Sequence, residues 1–253
     1  MRSGEVIRVL GPIDLATPDG VMTLGSRNLR ALLGALVVSV GHAAPMDRLA
    51  VAVWGEDPPP SATGSLHSYV SRLRHVLGTD SIVYEGHSYE LVADSDQIDA
   101  ARFEMLLMEA AELRDDPARC LAVCREALGL WRGEPFGELA DEEPFRLEAI
   151  RLDELRIAAM ELSLEAELAL GRQEFVIGEL EAAVVEYPYR ERLWYLLIEA
   201  LHRDGRRVDA IRACGRLRSE LADVGINDSE ELRRLEALIL GTDVDPAHRR
   251  MGH

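Results

Sequence analysis

Pro58-Pro59-Pro60-Ser61-Ala62-Thr63-Gly64-Ser65-Leu66-His67-Ser68-Tyr69-Val70-Ser71-Arg72-Leu73-Arg74-His75-Val76-Leu77-Gly78 is the stretch that decides the fold. A proline run cannot continue a helix backwards, but it can deliver a chain into one. Ser61 or Thr63 can cap the start, and Gly78 suits the end. At 100° per residue, Leu66, Tyr69, Val70, Leu73, Val76 and Leu77 share one face. The other face carries Gly64, His67, Ser68, Ser71 and His75, all small or hydrogen-bonding, with Arg72 and Arg74 on its flanks. Such a helix suits a DNA major groove: short polar side chains reach base edges while the arginines hold phosphates.

The neighbouring segments support this reading. Upstream, Glu5–Leu10, Ile13–Thr17 and Val21–Leu24 read as three short strands, with turns at Gly11-Pro12 and Pro18-Asp19-Gly20. Ser26 opens a helix to about Ser39 with Leu29, Leu32, Leu33, Leu36 and Val37 inward. A break at Gly41–Ala44, which can hold a short strand, precedes a helix over Met46–Trp54 that Gly55 ends. Downstream, two β-rich runs flank Glu85-Gly86-His87-Ser88 and make a hairpin. Sheet, three helices and hairpin in that order spell a winged helix: the third helix reads DNA and the hairpin is the wing. The leading sheet marks the variant found in response-regulator output domains, the OmpR type.

Asp94-Ser95-Asp96-Gln97 reads as a polar linker, and everything after it as helix. The division predicted is residues 1–94 for the winged helix, 99–241 for a helical domain, and 242–253 for a tail. Helices are predicted from Asp99 to about Glu112, from Pro117 to about Leu130, and from Pro144 to about Leu170. The last of these has a stripe of Leu155, Ala159, Leu162, Ala166 and Ala169. Gly171-Arg172 and Gly205-Arg206 then recur 34 residues apart, the tetratricopeptide period. Asp228 and Glu231 make a capping-box pattern for a final helix bearing Leu232, Leu235, Leu238 and Ile239. The fold class is therefore mostly α: a winged helix-turn-helix, then an all-α TPR-like repeat domain whose concave face can bind other chains.

Composition sets bounds. The net charge of −17 argues against loose nucleic-acid binding by the whole chain. Residues 1–94 hold seven arginines and ten acids, so this part is the less repelled by DNA without being basic. There is no lysine among the 28 basic residues. Three cysteines without a Cys-x-x-Cys pair argue against disulfides and zinc. No run of 18 apolar residues occurs and no apolar leader opens the chain, so a cytoplasmic protein without a membrane segment is expected. No phosphate loop, paired histidines or nucleophile elbow points to an enzyme, a metal or a cofactor.

Longer stretches carry a family resemblance. Gly25-Ser26-Arg27-Asn28-Leu29-Arg30-Ala31-Leu32-Leu33, Leu49 through Gly55, Pro58-Pro59, and Leu66 through Arg74 resemble the Streptomyces antibiotic regulatory protein family. Asp99–Phe103, Ala127–Gly133, Arg151–Arg156, Tyr187–Trp194 and Gly205–Ala210 are similar to its bacterial transcriptional activation domain. The resemblance implies a pathway-specific activator of antibiotic gene clusters in actinobacteria. It would bind double-stranded DNA at direct repeats near the −35 element, as a homodimer, and recruit RNA polymerase through its sigma factor. It extends the DNA-contacting set to Arg27 and Arg30, and makes Gly55, Glu56 and Asp57 a polymerase-facing loop. The chain departs from the family pattern with His67 for the usual Gln, with Pro45 before the second helix, with Glu85 and Glu90 in the wing, and with Cys214-Gly215 in the last repeat. The acidic wing and the charge leave an alternative: a protein-interaction regulator with weak DNA binding, acting through a partner activator.

Overall fold

A computed structural model describes residues 5–227 and 229–241. The expected architecture is present, a winged helix followed by helical repeats. The predicted tail, 242–253, and Asp228 lie outside the described residues.

Three short antiparallel strands come first: β1 (Val6–Arg8), β2 (Asp14–Thr17) and β3 (Gly20–Thr23), in that spatial order. They are shorter than the alternation predicted, because the chain leaves the sheet at Val9-Leu10 to bond elsewhere. The helices α1 (Arg27–Val38), α2 (Met46–Trp54) and α3 (Ala62–Leu77) follow. Leu29, Leu32, Leu33, Leu36 and Val37 of α1 are buried, as are Leu66, Val70, Leu73 and Leu77 of α3. Each such side chain stabilises the fold by about 1.5–3 kcal/mol through burial. Tyr69 and Val76 are half-buried at the edge of the same stripe. Ser26 and Ser61 stand at the N-caps of α1 and α3, but neither side chain makes a capping bond.

The hairpin of β5 (Ile82–Glu85) and β6 (Ser88–Leu91) gains a third strand, β4 (Ala44–Pro45), which pairs with β6 at Ala44–Tyr89 and Pro45–Ser88. Pro45 is tolerated because it sits at the end of a two-residue edge strand, where no ladder donor is required of it.

The chain forms two compact units: residues up to Glu112 with Ala122–Met160, and Leu113–Leu121 with Glu161 onward. Asp94–Gln97 folds as a capped turn, with the Gln97 side chain accepting from the Asp94 N–H at 2.9 Å. Beyond it, α4 (Asp99–Glu112) starts at a buried carboxylate. Asp99 accepts from the main-chain N–H of Val9 at 2.7 Å and of Leu10 at 3.1 Å. Burial pushes its pKa up, against those two bonds and the Arg132 guanidinium. Arg132 reaches Asp99 and Asp14, and Asp14 also holds Arg8. This ion network fixes the exit of β1 to the segment after α5 (Pro117–Leu128).

In α6 (Phe145–Ala169), Ala159, Leu162 and Ala166 are buried as expected, but Ala169 is exposed. The second unit continues through α7 (Gln173–Glu186), α8 (Glu191–Arg203), α9 (Arg207–Asp223) and α10 (Glu230–Leu240), each packed on its sequence neighbour. The repeat is visible in the backbone. Gly171 and Gly205 have φ of 74° and 77°, and the next N–H bonds back to Glu167 and Leu201 respectively. Only glycine enters that left-handed turn without a Cβ penalty. Ser229 caps α10 by accepting from the Leu232 N–H at 3.1 Å. Leu232 and Ile239 are buried, whereas Leu238 is exposed, contrary to the predicted stripe.

Candidate nucleic-acid interface

The polar face predicted for the reading helix is open. Gly64, His67, Ser68, Ser71, Arg72 and His75 are all exposed along α3, over a back that is closed by the core. The prolines set the entry, the Ala62 N–H bonding to the Pro59 carbonyl at 2.8 Å, and Gly78 ends the helix with φ 102°. Arg72 makes no hydrogen bond or ion pair among the described residues, so its guanidinium is available. Arg74 is engaged: its Nε and a terminal nitrogen donate to the Ile82 carbonyl at 2.9 and 2.6 Å.

The wing is polar on one side and aromatic on the other. Side chains of paired residues share a sheet face and alternate along the strand. Ile82, Tyr84, Tyr89 and Leu91 therefore fall on one face, and Val83, Glu85, Ser88 and Glu90 on the other. The first face meets α3. The His67 ring stands edge-on to Tyr84 and to Tyr89, with centroids 5.6 and 6.0 Å away, and the two tyrosines lie 4.8 Å apart. The Tyr89 hydroxyl meets His67 Nδ1. Burial pushes the Tyr89 pKa up, Arg74 opposes, and Tyr84 adds to the rise. The wing carboxylates Glu85 and Glu90 occupy the face turned away from α3.

Arg27 and Arg30 are not on this face. Arg27 pairs with Glu142 and donates to the Val53 carbonyl, while Arg30 binds Glu138 and the Leu24 carbonyl. Gly55, Glu56 and Asp57 form an exposed turn between α2 and α3. Pro58 and the start of α3 follow it directly.

Residues 98–240 match the model of the bacterial transcriptional activator domain. The regulatory protein DnrI of Streptomyces peucetius is 30% identical, over 94% of this chain and 92% of that protein. The chain belongs to the Streptomyces antibiotic regulatory protein family. Another relative is the regulatory protein AfsR of Streptomyces griseus, 35% identical over 94% of this chain. The chain spans only 25% of AfsR, and 62% of the transcriptional regulatory protein EmbR of Mycobacterium tuberculosis. The solved structure of EmbR in complex with a low-affinity phosphopeptide superposes with a TM-score of 0.88 at 32% identity. It covers 96% of this chain and 67% of the EmbR chain.

Within this family fold, the sequence reading missed the tyrosine pair facing α3. The signal was present: strict alternation puts Tyr84 and Tyr89 in phase with apolar Ile82 and Leu91. The arginines of the last repeat behave as solvated faces offset by acids. Arg206 and Arg212 pair with Asp209, Arg216 with Glu181, Arg203 with Glu199 and Arg218 with Glu236. Trp194 is a core residue, its Nε1 donating to the Pro188 carbonyl and its ring under the Arg216 guanidinium.

Proposed function

We propose that this chain is a sequence-specific DNA-binding transcriptional activator, with residues 1–94 reading DNA and 99–241 contacting the transcription machinery. One observation carries the reading: Gly64 and the five polar residues His67, Ser68, Ser71, Arg72 and His75 form an exposed strip on α3, a helix whose opposite face is locked into the core. Arg72 supplies the phosphate contact, and Gly64, His67, Ser68, Ser71 and His75 face base edges. Arg74 serves DNA indirectly by holding the wing. The outward-facing Glu85 and Glu90 weaken the objection from an acidic wing, because α3 itself carries no carboxylate.

Two copies on direct repeats would set their recognition helices about 34–36 Å, one DNA turn, apart. With few arginines per copy, affinity comes from pairing copies and falls steeply with salt. The exposed Gly55-Glu56-Asp57 turn is the surface for the polymerase sigma factor. In the second unit, exposed Phe175 and Val185 on α7 and Val208 on α9 offer further contact. Membership of the Streptomyces antibiotic regulatory protein family supports an antibiotic-cluster promoter as the target.

The test is a gel shift with upstream DNA from the gene's own neighbourhood. The parent retards the fragment at low salt, and Arg72→Ala weakens that binding severalfold while the fold is kept. Equal retardation by Arg72→Ala overturns the assignment of α3. Absence of any retardation at micromolar protein favours a regulator that works through a partner.

A further inference from the structure

We propose that Tyr89 is a positioning residue for base recognition: it fixes the imidazole of His67 so that Nε2 carries the hydrogen and is offered to a guanine in the major groove. The inference rests on the reading of α3 as the recognition helix, and goes beyond it by naming the base and the device that selects it.

The geometry leaves His67 little freedom. Its ring stands edge-on to two tyrosine rings at interplanar angles of 79° and 73°. Tyr89 is itself buried, 2% exposed, in the strand that β4 and β5 flank on either side. It cannot follow a moving imidazole. Tyr84 is half-exposed and its hydroxyl lies 3.3 Å from His87 Nδ1, which closes the outer side of the cluster. The rotamer of His67 is thus set from the wing rather than from its own helix.

The hydrogen follows from donor chemistry. The hydroxyl of Tyr89 has one hydrogen-bond partner among the described residues, His67 Nδ1. A buried phenol retains its proton at neutral pH, and its raised pKa accords with that. A phenol with a single neighbour that can accept donates to it. Nδ1 is then the acceptor, and in neutral imidazole the hydrogen must sit on Nε2. His67 is otherwise exposed and makes no second hydrogen bond among the described residues. It therefore presents a donor outward. Guanine shows two adjacent acceptors, N7 and O6, on its major-groove edge, whereas cytosine shows an amino donor there. A lone Nε2–H meets two adjacent acceptors on guanine, one acceptor beside an amino donor on adenine and one beside a methyl group on thymine, and is repelled by cytosine, so guanine is preferred.

Without the Tyr89 hydroxyl, the hydrogen moves between the two nitrogens and the selection softens. One neutral hydrogen bond corresponds to about fivefold in binding. The experiment uses the whole chain in four forms: the parent, Tyr89→Phe, His67→Gln, and the double variant. Long-range proton–nitrogen correlation spectra at pH 8 report the tautomer without DNA. Parent His67 shows a bare Nδ1 and a protonated Nε2, and Tyr89→Phe shows a mixture. Gel shifts against a promoter fragment with each base pair varied in turn report the selection. In the parent, one position prefers guanine. Tyr89→Phe narrows that preference about fivefold and leaves other positions unchanged, and does nothing further once His67 is Gln. A parent carrying its hydrogen on Nδ1 overturns the proposal, as does an equal loss at every position or an effect that survives in the His67→Gln background. If the parent retards no DNA at all, the reading of α3 fails first, and the spectra still report the tautomer.

Discussion

The guanidinium of Arg74 closes on the main-chain carbonyl of Ile82, two donors on one oxygen, and so ties the end of α3 to β5. Arg72, two residues earlier, has no such partner. The two arginines therefore separate in experiment. Arg74→Ala removes the tie, lowers stability by about 1 kcal/mol and weakens DNA binding by loosening the wing. Arg72→Ala leaves the melting temperature unchanged, weakens binding to all sequences alike and lowers the salt slope by about one. Thermal melts beside gel shifts at three salt concentrations check both.

Arg27 and Arg30 should behave as fold residues. Their guanidinium groups meet Glu142 and Glu138 and the carbonyls of Val53 and Leu24. Both ion pairs are partly exposed, so each is worth less than about 1 kcal/mol. Arg30 has the shorter carbonyl bond, 2.5 Å against 3.4 Å for Arg27, and is the more buried of the two. Arg30→Ala accordingly lowers the melting temperature more than Arg27→Ala. Affinity for promoter DNA, measured where each variant is fully folded, stays within about twofold of the parent. A tenfold loss of affinity with no loss of stability would return both arginines to the DNA.

The pattern of these residues also explains what the sequence disclosed. Periodicity located α3, the wing and the α7–α10 repeats because each needs only neighbours within one element or one hairpin. The exposed face of α3 was legible for the same reason: its buried side fixes its open side. What escaped were pairings across long separations. Asp99 binds Val9 and Leu10, Arg30 binds Glu138, and β4 pairs with β6, and no local pattern marks any of them. A helix wheel puts Arg74 on a flank of α3 and cannot show the Ile82 carbonyl that the next strand brings to it. Leu238 and Ala169 lie on predicted stripes yet are exposed, because at these helix ends the covered face is that of the adjacent Ile239 and Leu168, about 100° round the helix.

Cys214 is fully buried in α9, and its thiol is pushed up to about 11, first by burial and then by Glu236, with Arg218 opposing. At pH 8 almost none of it is thiolate. Iodoacetamide should leave Cys214 unmodified in the native protein and label it after unfolding, as read by peptide mass. The linkage has a definite sign. An acid whose folded pKa lies above its unfolded value leaves stability intact below about pH 9 and erodes it as pH climbs towards 11. Cys214→Ala abolishes this part of the alkaline decline, at the cost of a small cavity. A parent and variant with identical slopes between pH 9 and 11 would contradict the assignment.

Gly34 decides between two opposing effects in the middle of α1. Replacing a mid-helix glycine by alanine normally stabilises by about 1 kcal/mol. Here a Cβ would lie 2.9 Å from Ile13 Cδ1 and 2.9 Å from Phe145 Cε1, with Phe136 Cδ1 at 3.6 Å. Phe145 is completely buried and Ile13 nearly so. Their rings and methyls have no solvent to retreat into, and overpacking a closed core costs about 1–3 kcal/mol. The clash therefore outweighs the propensity gain, and Gly34→Ala lowers stability by about 1 kcal/mol, a fall of about 2–4 °C for a chain of this size. Gly178 in α7 supplies the control, because a Cβ there meets nothing within 4 Å. Gly178→Ala keeps the gain without the clash and raises the melting temperature of its unit. Opposite signs for the two substitutions confirm that α1 is pressed against Ile13 and Phe145 at this point. A stabilised Gly34→Ala would mean that the core there is loose enough to admit a methyl group, and the close packing of β2's entry and α6's start on α1 would have to be abandoned.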